Sequence, residues 1–315
     1  MIVVLTGATG FLGSRVRRDL LAAGLRVRAV VREPSRLTGR GHPRLETYRG
    51  DLTVPGALAK ALVGAEVLVH CAGASGPAGT SPVEATEAAM LDVVTAAAGA
   101  VKRIVVVNSA LMLGPTDGYG AATERTRTSS ADYVLAEQRR KAALRAATRA
   151  ARGRGASIEI VYPAPLVGPE GPAPRGFVAA ALEGARIGTP PFLPRRDDRR
   201  ISLAHVDDVA AALVAIVRRG APDAEYVLAG EAAPFSVLLH EAAAKARRAS
   251  DCVVRTACSL DSFRRAFCGE VARPAREIAE FLLHEWVFDG SGAERRLDVR
   301  FRPFVDAFAP SASGG

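Results

Sequence analysis

Over the first half of the chain, hydrophobic positions fall in short β-branched runs, separated by longer stretches in which apolar residues recur at helical spacing. The runs 2–5, 26–31, 45–49, 67–70, 103–108 and 157–162 read as strands. This alternation is the pattern of consecutive βαβ units, so a parallel sheet is expected. Ser81 as cap, Pro82 at the first helical position and Glu84 completing a capping box start a helix over 82–99. A second helix, rich in Ala and Arg, is expected over 131–152. Beyond residue 165 the pattern loosens into Gly/Pro-rich stretches (168–176, 188–194), an apolar helix at 206–219 and a strand at 226–228. The expected division is a main α/β domain over 1–165, to which 203–230 returns, and a smaller lobe from 166–202 and 231–310.

Composition narrows the class. The formal charge of +9 is almost all arginine, since Lys occurs only at 60, 102, 141 and 245. The arginines are scattered and not interleaved with aromatics, which argues against nucleic acid as a partner and leaves a surface that attracts small anions. Cys71, Cys252, Cys258 and Cys268 show neither a CxxC pair nor histidines at zinc spacing, so no metal site or disulfide framework is expected and a reducing cytoplasm fits. There is no charged leader before the first strand and no apolar run of membrane-spanning length, so neither secretion nor a membrane span is expected.

The first strand runs into Thr6-Gly7-Ala8-Thr9-Gly10-Phe11-Leu12-Gly13 and then a helix. Strand, glycine-rich turn and helix is the context in which unpaired N–H groups and a positive helix end bind a pyrophosphate. Gly7 permits the tight turn, Gly10 the close approach of phosphate and Gly13 the packing of helix on strand. The fold class is therefore α/β, a Rossmann-type doubly wound parallel sheet, with the smaller C-terminal lobe as the substrate side. At the end of the second strand, where an acidic residue would hold the ribose of NAD(H), stands Arg32, with Arg36 nearby. A guanidinium there suits a 2′-phosphate, which favours NADP(H) and leaves NAD(H) as the alternative.

Further motifs accompany the loop: Gly50-Asp51-Leu52, His70-Cys71-Ala72-Gly73, Asn108-Ser109-Ala110, Pro163 through Gly168-Pro169, and His205-Val206-Asp207-Asp208. In this order and spacing the chain resembles the extended short-chain dehydrogenases/reductases, also called the NAD-dependent epimerase/dehydratase family. Val31-Arg32-Glu33-Pro34 and Pro163-Ala164-Pro165-Leu166 resemble its dihydroflavonol-reductase-like branch, whose members generally reduce ketones with NADPH. The resemblance implies that Gly7, Thr9, Gly10, Phe11, Leu12, Gly13, Arg32, Asp51, Leu52, Cys71, Ala72, Gly73, Tyr133 and Pro163 line the cofactor. It also implies that Ser109 orients a carbonyl while Tyr133, 24 residues on, passes a proton to the developing alkoxide. A homodimer through helices 82–99 and 131–152 is a further implication.

One departure stands out. The family's Tyr-x-x-x-Lys is absent: Glu137 holds the lysine's position, and Lys141 lies one turn, about 5.4 Å, beyond it. A carboxylate near a phenol disfavours phenolate, but ketone reduction uses the neutral phenol as donor. The expected activity is thus an NAD(P)H-dependent ketoreductase acting on a small aromatic or lipophilic ketone. A sugar-nucleotide epimerase/dehydratase and a non-catalytic NADP sensor are the alternatives. Asp207 or Asp208 is expected to cap the helix after His205, His70 to be structural, the charge run Arg195 to Arg200 to be a solvated loop, and the late aromatics to serve as core or pocket lining.

Overall fold

The computed structural model describes residues 1–73, 92–168, 192–194, 199–238, 247–257 and 275–303. Seven strands form one parallel sheet: β1 (Ile2–Thr6), β2 (Arg26–Val31), β3 (Leu45–Arg49), β4 (Val67–His70), β5 (Arg103–Val107), β6 (Ser157–Pro163) and β7 (Glu225–Leu228). Their order is β7-β6-β5-β4-β1-β2-β3, the doubly wound arrangement expected, with the winding reversing between β1 and β4. The apolar character of the central strands β1, β4 and β5 has its cause in burial on both sides, whereas β3 at the sheet edge is polar and partly exposed. Val3 and Leu5 face one core with Val16 and Leu20 of α1 (Phe11–Ala22), whereas Val4, Leu68 and Ile104 face another with Val94, Ala97 and Leu144.

Helix α2 (Ala136–Ala150) follows β5, and α3 (Val206–Arg219) lies against α1 before β7 completes the sheet. The expected helix over 82–99 is seen as helix at 92–98; its Ser81 cap lies outside the described residues. Helix α4 (Ala275–Leu283) leads into Trp286, and α5 (Ser291–Leu297) packs on β7. The segment 284–288 is threaded between the strand Arg200–Ser202 and the loop after β5: Ser202 N donates to the Trp286 carbonyl at 2.8 Å, and Val287 N to Thr116 Oγ1 at 3.0 Å. Phe281, Trp286 and Phe288 are core, Trp286 lying wholly buried against Phe281.

The N-terminus of α3 departs from expectation. His205 itself is the cap, its Nδ1 facing Asp207 N at 3.2 Å. Asp207 instead pairs with Arg18 at 3.1 Å and Asp208 with Arg302 at 3.0 Å, because both aspartates sit within the first turn, where cations of neighbouring elements reach them. Nor is the charge run wholly solvated. Arg199 is half-buried and pairs with Asp251, and Arg200 opens a short strand; residues 195–198 lie outside the described residues. Among the described residues no helix is long and apolar enough to cross a membrane.

Candidate active site

Parallel strands bring their C-terminal ends to one edge, and register fixes which residues meet there. Thr6 is opposite both Val30 and His70, Val31 opposite Arg49, and Val107 opposite Val161. Gly7, Arg32, Asp51, Cys71, Ser109 and Pro163 consequently share that edge around the switch point. The glycine loop is built for close approach. Gly7 has φ +73°, and a Cβ on it would lie 2.6 Å from Ala72 N of the loop after β4. A Cβ on Gly13 would overlap the Gly7 carbonyl oxygen. Gly10 caps α1 with extended backbone; no side chain caps the helix and no acidic residue stands in its first turn, so its N–H groups are open to an anion. These features fit a dinucleotide pyrophosphate. Arg17, which sequence reasoning missed, braces the loop from α1: its guanidinium donates to the Ala8 carbonyl at 2.9 Å and to Thr38 Oγ1 at 2.6 Å.

Thr9 is exposed at the crest of the loop, Phe11 is half-buried and Leu12 buried. Arg32 is exposed at the end of β2. Asp51 folds onto its own turn, accepting from Thr53 N at 3.0 Å and Thr53 Oγ1 at 2.8 Å; these bonds and the Arg32 charge hold its carboxyl below the usual range. Leu52 leans on the core, Ala72 is half-buried and Gly73 exposed. Burial pushes the Cys71 thiol up to about 12, so it is a neutral wall. His70 is wholly buried, its Nδ1 2.7 Å from Thr6 Oγ1; burial and the nearby Lys141 charge depress it to about 4, which leaves it neutral.

Ser109 follows β5 and caps a single 3-10 turn, Ala110–Leu113, its Oγ accepting from Leu111 N at 3.3 Å. Asn108 holds it from behind: Oδ1 accepts from Ser109 N at 2.8 Å, and Nδ2 donates to the Lys141 carbonyl of α2 at 3.0 Å. Tyr133 is buried, but not on a helix. Ser129 and Asp132 close their own capping box on a 3-10 turn, Tyr133 is extended (φ −77°, ψ 117°), and α2 begins only at Ala136. The expected helix over 131–152 is thus shortened to 136–150. The cause is two side chains at its head: Glu277 of α4 accepts from Ala136 N at 3.0 Å, and Gln138 accepts from Val134 N and Leu135 N, both at 2.8 Å. Tyr133 OH lies 2.9 Å from Thr128 Oγ1.

Gln138 was not foreseen. Wholly buried, it donates through Nε2 to the Leu111 carbonyl at 3.1 Å and to the Gly114 carbonyl, so one amide joins the Ser109 turn to the Tyr133 segment. Nothing in the sequence signals it, since in the helix expected over 131–152 it falls in the interior and only the observed start at Ala136 makes it the third residue. Glu137 is half-buried; burial pushes its carboxyl up, against the pull of Lys141 and Arg140. Pro163 ends β6 and is buried. Tyr162 before it donates to Glu225 Oε2 at 2.6 Å beneath Arg145, a structural assembly on the α2 side.

Residues 3–229 match the family of NAD dependent epimerases/dehydratases. The chain belongs to that family. This epimerase/dehydratase-family chain is 32% identical over 225 residues to the ceramide reductase of Caulobacter vibrioides, a match covering 69% of this chain and 61% of that protein. It is 27% identical over 252 residues to the dihydroflavonol 4-reductase of Hordeum vulgare, covering 71% and 69%. The crystal structure of gox2253 superposes with a TM-score of 0.77 at 26% identity, over 97% of this chain and 95% of that one. The dTDP-glucose 4,6-dehydratase DesIV of Streptomyces venezuelae, solved with NAD bound, shares the fold at 22% identity, TM-score 0.72, over 98% and 94%.

Proposed function

We propose that this epimerase/dehydratase-family protein is a ketoreductase that reduces a small aromatic or lipophilic ketone, with NADPH favoured over NADH. The observation that carries the reading is the Gln138 brace, which ties the turn after Ser109 to the backbone segment that follows Tyr133. A bound reduced nicotinamide supplies the hydride for the carbonyl carbon. Ser109 orients the carbonyl oxygen, and Tyr133 gives its proton to the oxygen as it becomes an alkoxide. The open head of α1 holds the pyrophosphate, and exposed Arg32 takes the 2′-phosphate that distinguishes NADPH. Asp51, Leu52, Cys71, Ala72, Gly73 and Pro163 form the remaining walls. The reductase names of the two relatives support this choice over a sugar-nucleotide reaction.

Glu137 in the family's lysine position is compatible with ketone reduction, which starts from the neutral phenol. The same residue supports a second reading, a protein that binds the dinucleotide without turnover. Calorimetric titration with NADPH, NADP, NADH and NAD, followed by reduced-nicotinamide absorbance with a panel of aromatic ketones, tests both. Ketone-dependent oxidation of NADPH that Tyr133→Phe abolishes is the expected result. Tight binding with no oxidation across the panel would leave the sensor, and no binding would remove both readings.

A further inference from the structure

Tyr133 is a buried residue whose OH sits 2.9 Å from Thr128 Oγ1, and Thr128 Oγ1 in turn lies 3.4 Å from the Met112 carbonyl. A hydroxyl has one proton to donate. If Thr128 gives its proton to Met112, the Tyr133 proton is committed to Thr128 and points away from any substrate. If Thr128 gives its proton to Tyr133, the phenol proton is free. The bond given up in that rotation is long, at the limit of hydrogen bonding, and the short 2.9 Å contact is kept with its direction reversed, so the second arrangement costs little. Once Tyr133 has lost its proton, the second arrangement alone remains, because a phenolate can only accept. We infer that Thr128 is a positioning residue: its hydroxyl turns from the Met112 carbonyl to Tyr133, frees the phenol proton and then donates to the phenolate.

This rests on the reading of Tyr133 as proton donor and supplies what Glu137 cannot, a donor aimed at the phenolate oxygen. The balance is simple. The phenol O–H bond breaks, the proton joins the alkoxide to give the alcohol, Thr128 keeps its own proton throughout, and the phenolate recovers a proton from solvent. Charged groups on and around the segment include Asp132, which accepts from Ser129 N at 3.1 Å, Arg139, which donates to the Tyr133 carbonyl at 3.3 Å, and Glu137 and Glu277 at the head of α2, with the Lys141 and Arg140 charges near Glu137. None of them changes when Thr128 is replaced.

The test compares Thr128→Val, Thr128→Ser and Thr128→Cys in the full chain. A donor to a charged acceptor is worth about ten- to a hundred-fold in rate. Thr128→Val is expected to lower kcat by that factor with KM within about two-fold, Thr128→Cys to fall between, and Thr128→Ser to restore kcat to within about three-fold. Independently of any ketone, the phenolate absorbance titration of Tyr133, isolated by subtracting Tyr133→Phe from the chain's five tyrosines, should move at least one pH unit higher in Thr128→Val and stay in place in Thr128→Ser. An unmoved titration in Thr128→Val, or in Thr128→Cys should the valine variant not fold, overturns the inference. A moved titration without ketone turnover sustains it and leaves the ketoreductase reading to fail alone.

Discussion

Replacing Gln138 with Leu removes four hydrogen bonds from a wholly buried site while keeping a side chain of comparable bulk. Val134 N–H, Leu135 N–H and the Gly114 carbonyl lose their partner, while the Leu111 carbonyl keeps the Gly114 N–H at 3.2 Å. Each buried group left unsatisfied costs about 1–3 kcal/mol, and extra apolar burial returns about 1–2 kcal/mol. Leu135 and Val134 stand at a helix end, where a small shift admits water, so the sum falls short of three full penalties. We expect a loss of about 3–5 kcal/mol, a large share of the ~5–15 kcal/mol that holds a domain folded. Urea unfolding reads it as a lower midpoint at unchanged slope. Gln138→Glu separates the two halves of the brace, because a carboxylate keeps the acceptor toward Val134 and Leu135 but sets negative oxygen against the two carbonyls. Burial there raises the folded carboxyl above its unfolded value of about 4.3, so this variant should lose stability as pH rises from there through the folded value and have it fully restored below about pH 4.3. A Gln138→Leu midpoint within about 0.5 kcal/mol of the parent would refute the brace, since that is the range of an ordinary surface change.

Gly13→Ala should abolish dinucleotide binding by calorimetry, because its Cβ overlaps the Gly7 carbonyl oxygen and α1 cannot keep its place against the loop; parental affinity would show that the loop yields freely. Arg32→Ala should weaken NADPH by about ten- to a hundred-fold and leave NADH unchanged, as expected for one charge-assisted contact; an equal loss for both would detach Arg32 from the 2′-phosphate. Glu225 accepts from Arg149 at 2.6 and 2.7 Å and from Tyr162 at 2.6 Å, and despite its burial these partners hold its carboxyl below the usual range. The stability it contributes is therefore complete above about pH 4.3 and lost as pH falls through the lower folded value; Glu225→Gln should flatten the acid limb of the thermal midpoint curve, and an unchanged limb would contradict this.

The sheet was legible because its demands are local: Ile2–Thr6, Val67–His70 and Arg103–Val107 are apolar runs that only a strand covered on both faces can bury. The glycine loop was legible for the same reason, since Gly7 and Gly13 answer to atoms within a few residues or on the adjoining strand end. The start of α2 was not. Propensity carries a helix back to 131, but its head is set by Glu277, 141 residues downstream, and by an amide bonded to Leu111 and Gly114. His205 likewise takes a capping position that sequence habit gives to aspartate.

These long-range bonds also bear on the exchange of Glu137 and Lys141. A shift of α2 by one turn would carry Lys141 into the family's lysine position and repair the motif. The structure ties the helix down at two points, however: Gln138 to the carbonyls of the Ser109 turn, and the Lys141 carbonyl to Asn108 Nδ2. Sliding about 5.4 Å breaks both ties and separates Ser109 from the frame that holds Tyr133. The Lys141 charge is instead felt by His70 at the end of β4, where with burial it keeps the imidazole neutral at physiological pH. A site so fixed has no ammonium at the position of Glu137, and phenolate stabilisation must come from a neutral donor already beside Tyr133, the geometry that Thr128 occupies.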